Sequence, residues 1–513
     1  MHYQTVVASS HKLQNISPWG MTAIVRLLNV YTISTFVALA GTLFGFDIAS
    51  VSGVVGTDQY KKFYGNPLGT RQGGITGAMA AGSFVGALSS SYLGDNWLGA
   101  VNETGLCIGL TSSLVPIYQS EIAPRKIRGR IVVFQVFAIT WGILIQYFIQ
   151  YGCSFLDSEA AFRIPWAIQV IPAVILFIGL FWLPRCPRWL ANVNRWDEAL
   201  RVLVFLRSAK GDINDPLVLA EYKEIEEQIR CEREENANSF RELFSRKIRK
   251  RLLLSAAIQM WSQLSGMNVL IYYTVYVLQS AGIANARLAS SYQYIINIVM
   301  TIPCLAWTDR WGRRPSLLVG AIFMSIWLFL IGGLLQHYGE PNPVLNEPYT
   351  WIIIGHTAAS RTILACSYLA VGTFAVAWAP ISWLYPTEVA PLRVRAKSVS
   401  LATAANWATN FALGFAVPPL LRAIKWRLFF LFGSFNIAAF IHVLLAMPET
   451  KQRTLEEMDE IFEHGDPLWK SFRDERDTDR LERLAREIEM GILKAHRSSH
   501  VQRPDGIAET GSM

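Results

Sequence analysis

Asp309-Arg310-Trp311-Gly312-Arg313-Arg314-Pro315 lies between two long apolar runs, Tyr292 to Trp307 and Leu317 to Leu335, and its reading decides the fold. Arginines at the ends of apolar runs are held on the cytoplasmic side of a membrane by the positive-inside bias, and Gly312 permits the sharp turn that so short a connection needs. The stretch therefore reads as a cytoplasmic hairpin between two spans. A basic turn that merely anchors topology accounts for the arginines but not for Asp309. An acid beside arginines at a span end can pair with them and release, which is what a gate requires.

Composition extends this reading to the whole chain. Its 513 residues are 52% hydrophobic and 12% aromatic, mean hydropathy is +0.27, and apolar runs of about 20 residues recur, the length that spans a bilayer core. The fold class expected is an all-α polytopic membrane protein with the lipid bilayer as its medium. A formal net charge of +8 raises nucleic acid as a partner, but the lysines and arginines sit in short loops at span ends, so topology accounts for them and no nucleic-acid partner is expected. Six cysteines, at 107, 153, 186, 231, 304 and 366, are scattered singly without metal or redox spacing, so neither a metal nor a cofactor is expected. No nucleophile with a base and no phosphate loop supports an enzyme.

Before the hairpin, residues 1–29 are polar, read as a cytoplasmic segment, and lack the apolar core and cleavage site of a signal peptide. The first run, Val30 to Val51, carries Asp47, an acid that costs several kcal/mol inside a membrane unless it faces a cavity or a partner. Asp47 is functional on that ground; the alternative places it, solvated, at the outer interface. A glycine-rich run from Gly73 to Leu93 ends at Gly94-Asp95, and a further run covers 98–118. Asn102-Glu103-Thr104 fits a glycosylation triplet but adjoins a span and is given no role. Runs at Ile131 to Tyr151 and Pro165 to Leu183 complete a first bundle, residues 30–183. Residues 184–251 are a charged cytoplasmic loop with an amphipathic helix near Glu221 to Glu235. The second bundle, residues 252–447, has six runs: Leu252 to Gln279, the two beside the hairpin, Ile363 to Tyr385, Ser398 to Leu421 and Leu428 to Met447. Residues 448–513 form a charged cytoplasmic tail with a helical stretch near Asp474 to Lys494. The chain thus shows eleven apparent spans.

Seven strings carry a family resemblance: GTLFGFD (41–47), PIYQSEIAPRKIRG (116–129), PRCPRWL (184–190), SQLSGMNVLIYY (262–273), DRWGRRP (309–315), WLYPTEVAPLRVRAK (383–397) and PETKQRTLEE (448–457). In this order and at these places they resemble the sugar porters of the major facilitator superfamily, close to the fungal monosaccharide transporters. The resemblance covers most of residues 30 to 460. It implies two six-helix bundles around a central cavity, each built of three-helix repeats.

The chemistry of the residues agrees. A hexose is a ring of uncharged hydroxyls, so its site needs amide donors and acceptors with an aromatic face, away from competing water. The helix Gln259 to Tyr273 offers them as a polar stripe, with Gln259 one turn from Gln263 and Tyr272 one turn from Asn268. The resemblance implies that Gln263, Asn268, Asn297, Trp383 and Asn406 bind the sugar; the alternative for each is an interhelical hydrogen bond. It also implies a cytoplasmic gate of ion pairs, Glu121 with Arg128, Asp309 with Arg313 and Arg314, and Glu388 with Arg395. Exposed pairs of about 1 kcal/mol or less each suit a switch between nearly balanced states.

Departures are equally legible. Val136 stands where sugar porters commonly place a sugar-contacting glutamine, though Gln135 is adjacent. Ser262 replaces the first of the usual glutamine pair, and Arg185-Cys186 replace the usual acid and serine. After Gly94-Asp95 the family continues with a basic turn, a third span and the start of a fourth, none of which is present. The arginine that partners the first-span aspartate in proton-coupled members falls near Val101. Threading is then inconsistent. Either the amino terminus is outside, or residues 98 to 118 fail to cross, or a span has been lost at Asp95-Asn96. The reading favours loss, giving a proton-coupled monosaccharide carrier of the plasma membrane, with sugar and proton as its ligands, that lacks one span and does not transport. The other class considered is a sugar sensor that binds without net transport.

Overall fold

Backbone amides in lipid must bond within the chain, and the sequence answers with helices. The computed structural model describes residues 30–451 apart from 55–56, 97–103, 125–126, 208–211, 235–242, 344–348 and 392–393, together with Met458 and Phe462. The segment 1–29, Val101, the acceptor of the glycosylation triplet and the stretch at 474–494 lie outside the described residues. The first bundle contains α1 (Val30–Val37), α2 (Leu39–Val54), the short α3 (Asp58–Tyr64), α4 (Thr70–Asn96), α5 (Thr104–Ile122), α6 (Arg128–Cys153), α7 (Ala160–Ile168) and α8 (Val170–Leu180). The central loop holds α9 (Pro187–Asn192), α10 (Trp196–Arg207) and α11 (Pro216–Glu234). The second bundle comprises α12 (Arg246–Leu264), α13 (Met267–Tyr272), α14 (Thr274–Ser280), α15 (Ala286–Trp311), α16 (Arg313–Tyr338), α17 (Thr357–Val389), α18 (Arg395–Ala423) and α19 (Arg427–Ala446).

With α1–α2, α7–α8 and α12–α14 each taken as one run, every apolar run of the sequence carries helix among its described residues. Seven are long and apolar enough to cross a membrane; α4, α5, α12–α14 and α18, richer in polar residues, fall short of that measure. Close helix approach follows from small residues. A Cβ on Gly45 of α2 would strike the Ile139 carbonyl of α6 and lie 2.9 Å from the Gly142 Cα, so these two backbones meet directly.

Packing within the two bundles is parallel up to one helix. In the second, α12 packs on α18, α15 on α17, and α16 on both α17 and α19. In the first, α2 packs on α6 and α4 on α5, the counterparts of the first two pairings. Among the described residues nothing in the first bundle corresponds to α16. The last helix there, α7–α8, is the least enclosed of the seven, with 33% of its apolar stretch buried, close to the 39% of its counterpart α19.

The central-loop helices form a unit of their own. Leu190, Ala191, Leu200, Leu203, Val218, Ile225 and Ile229 make its core, and Arg207 donates to both carboxylate oxygens of Glu221 at 2.7 and 2.9 Å. One feature departs from the all-helical expectation. Between α16 and α17, β1 (Gly339–Pro341) pairs antiparallel with β2 (Trp351–Ile353), and Trp351 Nε1 donates to the Leu335 carbonyl at the end of α16 at 2.7 Å. The Leu335 carbonyl, which also accepts the Gly339 amide at the end of α16, thereby takes a second donor that ties the strand pair to the helix end.

At the hairpin, Gly312 stands at φ +89° between α15 and α16. The Arg313 and Arg314 amides donate at 2.9 and 3.1 Å to the carboxylate of Glu449, which follows α19. An anion there satisfies two orphan amides at the positive end of α16. A Cβ on Gly312 would lie 2.7 Å from that carboxylate. Gly312→Ala is therefore strained twice and should cost about 1–3 kcal/mol. The measurement is the thermal unfolding midpoint of detergent-purified protein; an unchanged midpoint would refute the account.

Candidate functional site

The helix expected to run unbroken from Gln259 to Tyr273 is interrupted. Gly266 adopts φ +86°, so α12 stops at Leu264 and α13 starts at Met267. On a continuous helix, residues five apart point about 140° away from each other. The break instead brings Asn268 round to Gln263, where its Nδ2 donates to Oε1 at 2.5 Å. Gln263 Nε2 donates to Asn406 Oδ1 at 3.0 Å, and Asn406 Nδ2 donates to Gln259 Oε1 at 2.7 Å. Asn410 Nδ2 donates to Gln263 Oε1 at 3.2 Å, and the Tyr272 hydroxyl lies 3.4 Å from Asn410 Oδ1. Five of the expected site residues thus meet in one network across α12, α13 and α18. Asn410 was absent from the sequence reading, yet its place one helical turn after Asn406 was the signal that it shares that face.

An aromatic face adjoins the amides. Phe44 of α2 packs against Trp383 edge-on with centroids 6.0 Å apart, and against Trp407 at 4.9 Å. Trp407 Nε1 donates to Ser112 Oγ of α5 at 3.1 Å, joining the bundles at this depth. Asp47 is buried one turn beyond Phe44, and its Oδ2 has no hydrogen-bond partner. Asn297 is buried on α15, with no side-chain hydrogen bond to the network among the described residues. Phe44 and Trp407 were not singled out from sequence because an aromatic in a span is most often packing.

Contacts between the bundles close the network at both ends. Toward the outer side, Thr76 Oγ1 and the Tyr273 hydroxyl lie 2.9 Å apart, Tyr273 donates to the Gly414 carbonyl, and the Tyr294 hydroxyl donates to Ser52 Oγ at 3.1 Å. Toward the basic loops, Ser90 and Ser400 hydroxyls meet at 2.7 Å, and Ile117 packs on Ala390 and Val399. Gln259 and Asn406 are each 1% exposed.

The charged cluster differs in its pairing from the expectation. Glu388 was expected on Arg395, but its carboxylate receives Arg313 Nη2 and Nε at 2.7 and 3.1 Å. Thr450 Oγ1 adds a third donor at 2.6 Å. Arg314 Nη2 donates to the Leu444 carbonyl, while the expected Asp309 side chain lies outside what is described. Glu121, Arg128 and Arg395 lie at helix ends, on α5, α6 and α18. The Arg313–Glu388–Thr450 cluster ties α16, α17 and the segment after α19, all within one bundle. It braces that bundle and does not cross to the other.

The sequence family described as "Sugar (and other) transporter" matches residues 104–462. An Aspergillus flavus protein named "MFS glucose transporter mfs1" is 46% identical, the match covering 93% of this chain and 98% of the relative. A Kluyveromyces lactis "High-affinity glucose transporter" is 40% identical, with 87% of each covered. The first alignment runs over 520 positions yet uses 93% of 513 residues, so about 43 aligned positions have no residue in this chain; the same reckoning for the second, over 481 positions, leaves about 35. Among solved structures, the proton:xylose symporter XylE bound to 6-bromo-6-deoxy-D-glucose superposes with a TM-score of 0.68 at 22% identity, covering 84% of this chain and 99% of that one. That likeness is one of fold.

Proposed function

Because the chain belongs to the sugar-transporter family of the major facilitator superfamily, we propose that its amide network and aromatic face bind a monosaccharide, a hexose such as the glucose in its relatives' names. The observation that carries this is the closed network of Gln259, Gln263, Asn268, Asn406 and Asn410. A side-chain amide can both donate and accept, so each of these can exchange a neighbour for a sugar hydroxyl. Trp383 supplies an apolar face for the ring. Asn297 is proposed to complete the site from α15.

Asp47 is the proposed proton carrier, being the buried acid of the first bundle on the path between the two sides. The ion pairs proposed for the gate, Glu121 with Arg128 and the cluster around Glu388, each lie within one bundle and are proposed to keep that bundle rigid during the switch. The plasma membrane is the proposed site of action. The chain is further proposed to lack the third helix of its first bundle. Supporting this are the missing counterpart of α16 and the roughly 35–43 alignment positions without a residue.

Asn268→Ala and Trp383→Ala should each weaken hexose binding by purified protein about tenfold in isothermal titration, one removing an amide and the other the ring face. Unchanged affinity in both would remove them from the site.

A further inference from the structure

We propose that Asp47 is a ligand to the sugar itself, its carboxyl group accepting a hydrogen bond from one hydroxyl of a monosaccharide held on the amide network. The inference rests on the sugar-site reading above and goes beyond it. Three observations lead to it.

The first is the orientation of α2. Gly41, Gly45 and Gly53 press on α6, touching Gln135, Ile139 and Gln150. Phe44 points to another face, where it meets Trp383 and Trp407 of the second bundle. At 100° per residue, Asp47 lies about 60° from Phe44 and about 160° from Gly45, so it belongs to the face turned from α6. The second is its state of satisfaction. Asp47 is 8% exposed, and its enclosed Oδ2 finds no donor, an expensive condition for a buried carboxyl oxygen. The third is its neighbour. Helix α13, which carries Tyr272, packs on α2, and the Tyr272 hydroxyl is bound to Asn410, which is bound in turn to Gln263.

The protein thus brings an acceptor without a donor to the helix that packs against this amide network. A polyhydroxyl ligand carries the donor that is wanting. A site built to bind a particular hydroxyl rejects the analogue lacking it, since a buried polar group is then left unpaired. Asp47 would therefore set which hydroxyl the protein insists upon.

The experiment is isothermal titration of the purified full-length chain with glucose and the series of monodeoxyglucoses, repeated for Asp47→Ala and Asp47→Asn. The expected result is that one deoxy analogue binds wild type about tenfold more weakly than glucose, and that this penalty vanishes in Asp47→Ala while the penalties of the other analogues persist. Asp47→Asn, which keeps the shape and one acceptor oxygen, should retain part of it. Penalties identical in wild type and Asp47→Ala would overturn the inference, as would equal weakening of every sugar, the mark of a merely structural role. Failure of wild type to bind any hexose would overturn the sugar-site reading itself.

Discussion

Glu388→Ala is expected to destabilise the second bundle by about 3–5 kcal/mol, the largest single-residue effect predicted here. Glu388 and Arg313 are both buried, with side chains 9% and 3% exposed, and the pair is bidentate. Removing the carboxylate leaves a guanidinium enclosed among α16, α17 and the segment after α19, and also strips Thr450 of its acceptor. The cost arises from the orphaned charge more than from the lost attraction, so a double replacement of Arg313 and Glu388 by apolar residues should recover much of it. A matched control is Glu198→Ala, whose partner Arg195 is 42% exposed and which should change stability by no more than about 0.5 kcal/mol. Thermal unfolding in detergent measures both. If Glu388→Ala moved the midpoint no further than Glu198→Ala, the cluster would be no brace.

How much of this was legible depended on whether a signal was local. The helical runs could be placed because a span needs a fixed length of apolar residues and arginines mark its ends. The hairpin at Gly312 was readable for the same reason. The network was partly readable, since Gln259, Gln263, Asn268, Tyr272 and Asn406 are amides and a phenol where apolar residues are the rule. Their mutual geometry was not, because it depends on the interruption at Gly266, and a single Ser-Gly pair within a span does not reveal a left-handed turn. Ion-pair partners were least legible. The pairing of Glu388 with Arg395 came from the family resemblance, and no local signal in the sequence pointed to another partner. The fold instead presents Arg313, 75 residues earlier, from a neighbouring helix. Glu449 as the cap of α16 was equally hidden, being an interaction between segments 136 residues apart.

In a host without hexose carriers of its own, this chain is expected to give no radiolabelled hexose uptake above background. Alternating access moves one bundle against the other, and each must be rigid enough to move as a body. In the second bundle rigidity comes largely through α16, which packs on both α17 and α19. The first bundle has no such helix among the described residues, and its last helix, α7–α8, leaves Val170, Ile171, Val174, Ile175, Phe177 and Ile178 exposed. The parity of basic loops points the same way: with a cytoplasmic amino terminus and residues 98 to 118 crossing, Arg128 and Arg130 fall on the cytoplasmic side if one more span lies between Leu93 and Arg128. A span with its turn needs about 25–40 residues, a length comparable to the total of roughly 35–43 positions at which the alignments to the two fungal relatives have no residue in this chain. On the proposed loss, the missing piece would also have held the arginine that the resemblance pairs with Asp47. Insertion between Asp95 and Asn96 of a basic turn, an apolar helix and the start of the next helix with its arginine should restore uptake. In that restored carrier Asp47→Asn should abolish accumulation against a gradient while leaving passive exchange, because the substitution removes the titrating group and keeps the shape. Concentrative uptake by the uninserted chain would overturn the missing-span account, since five helical runs would then suffice for the work of six.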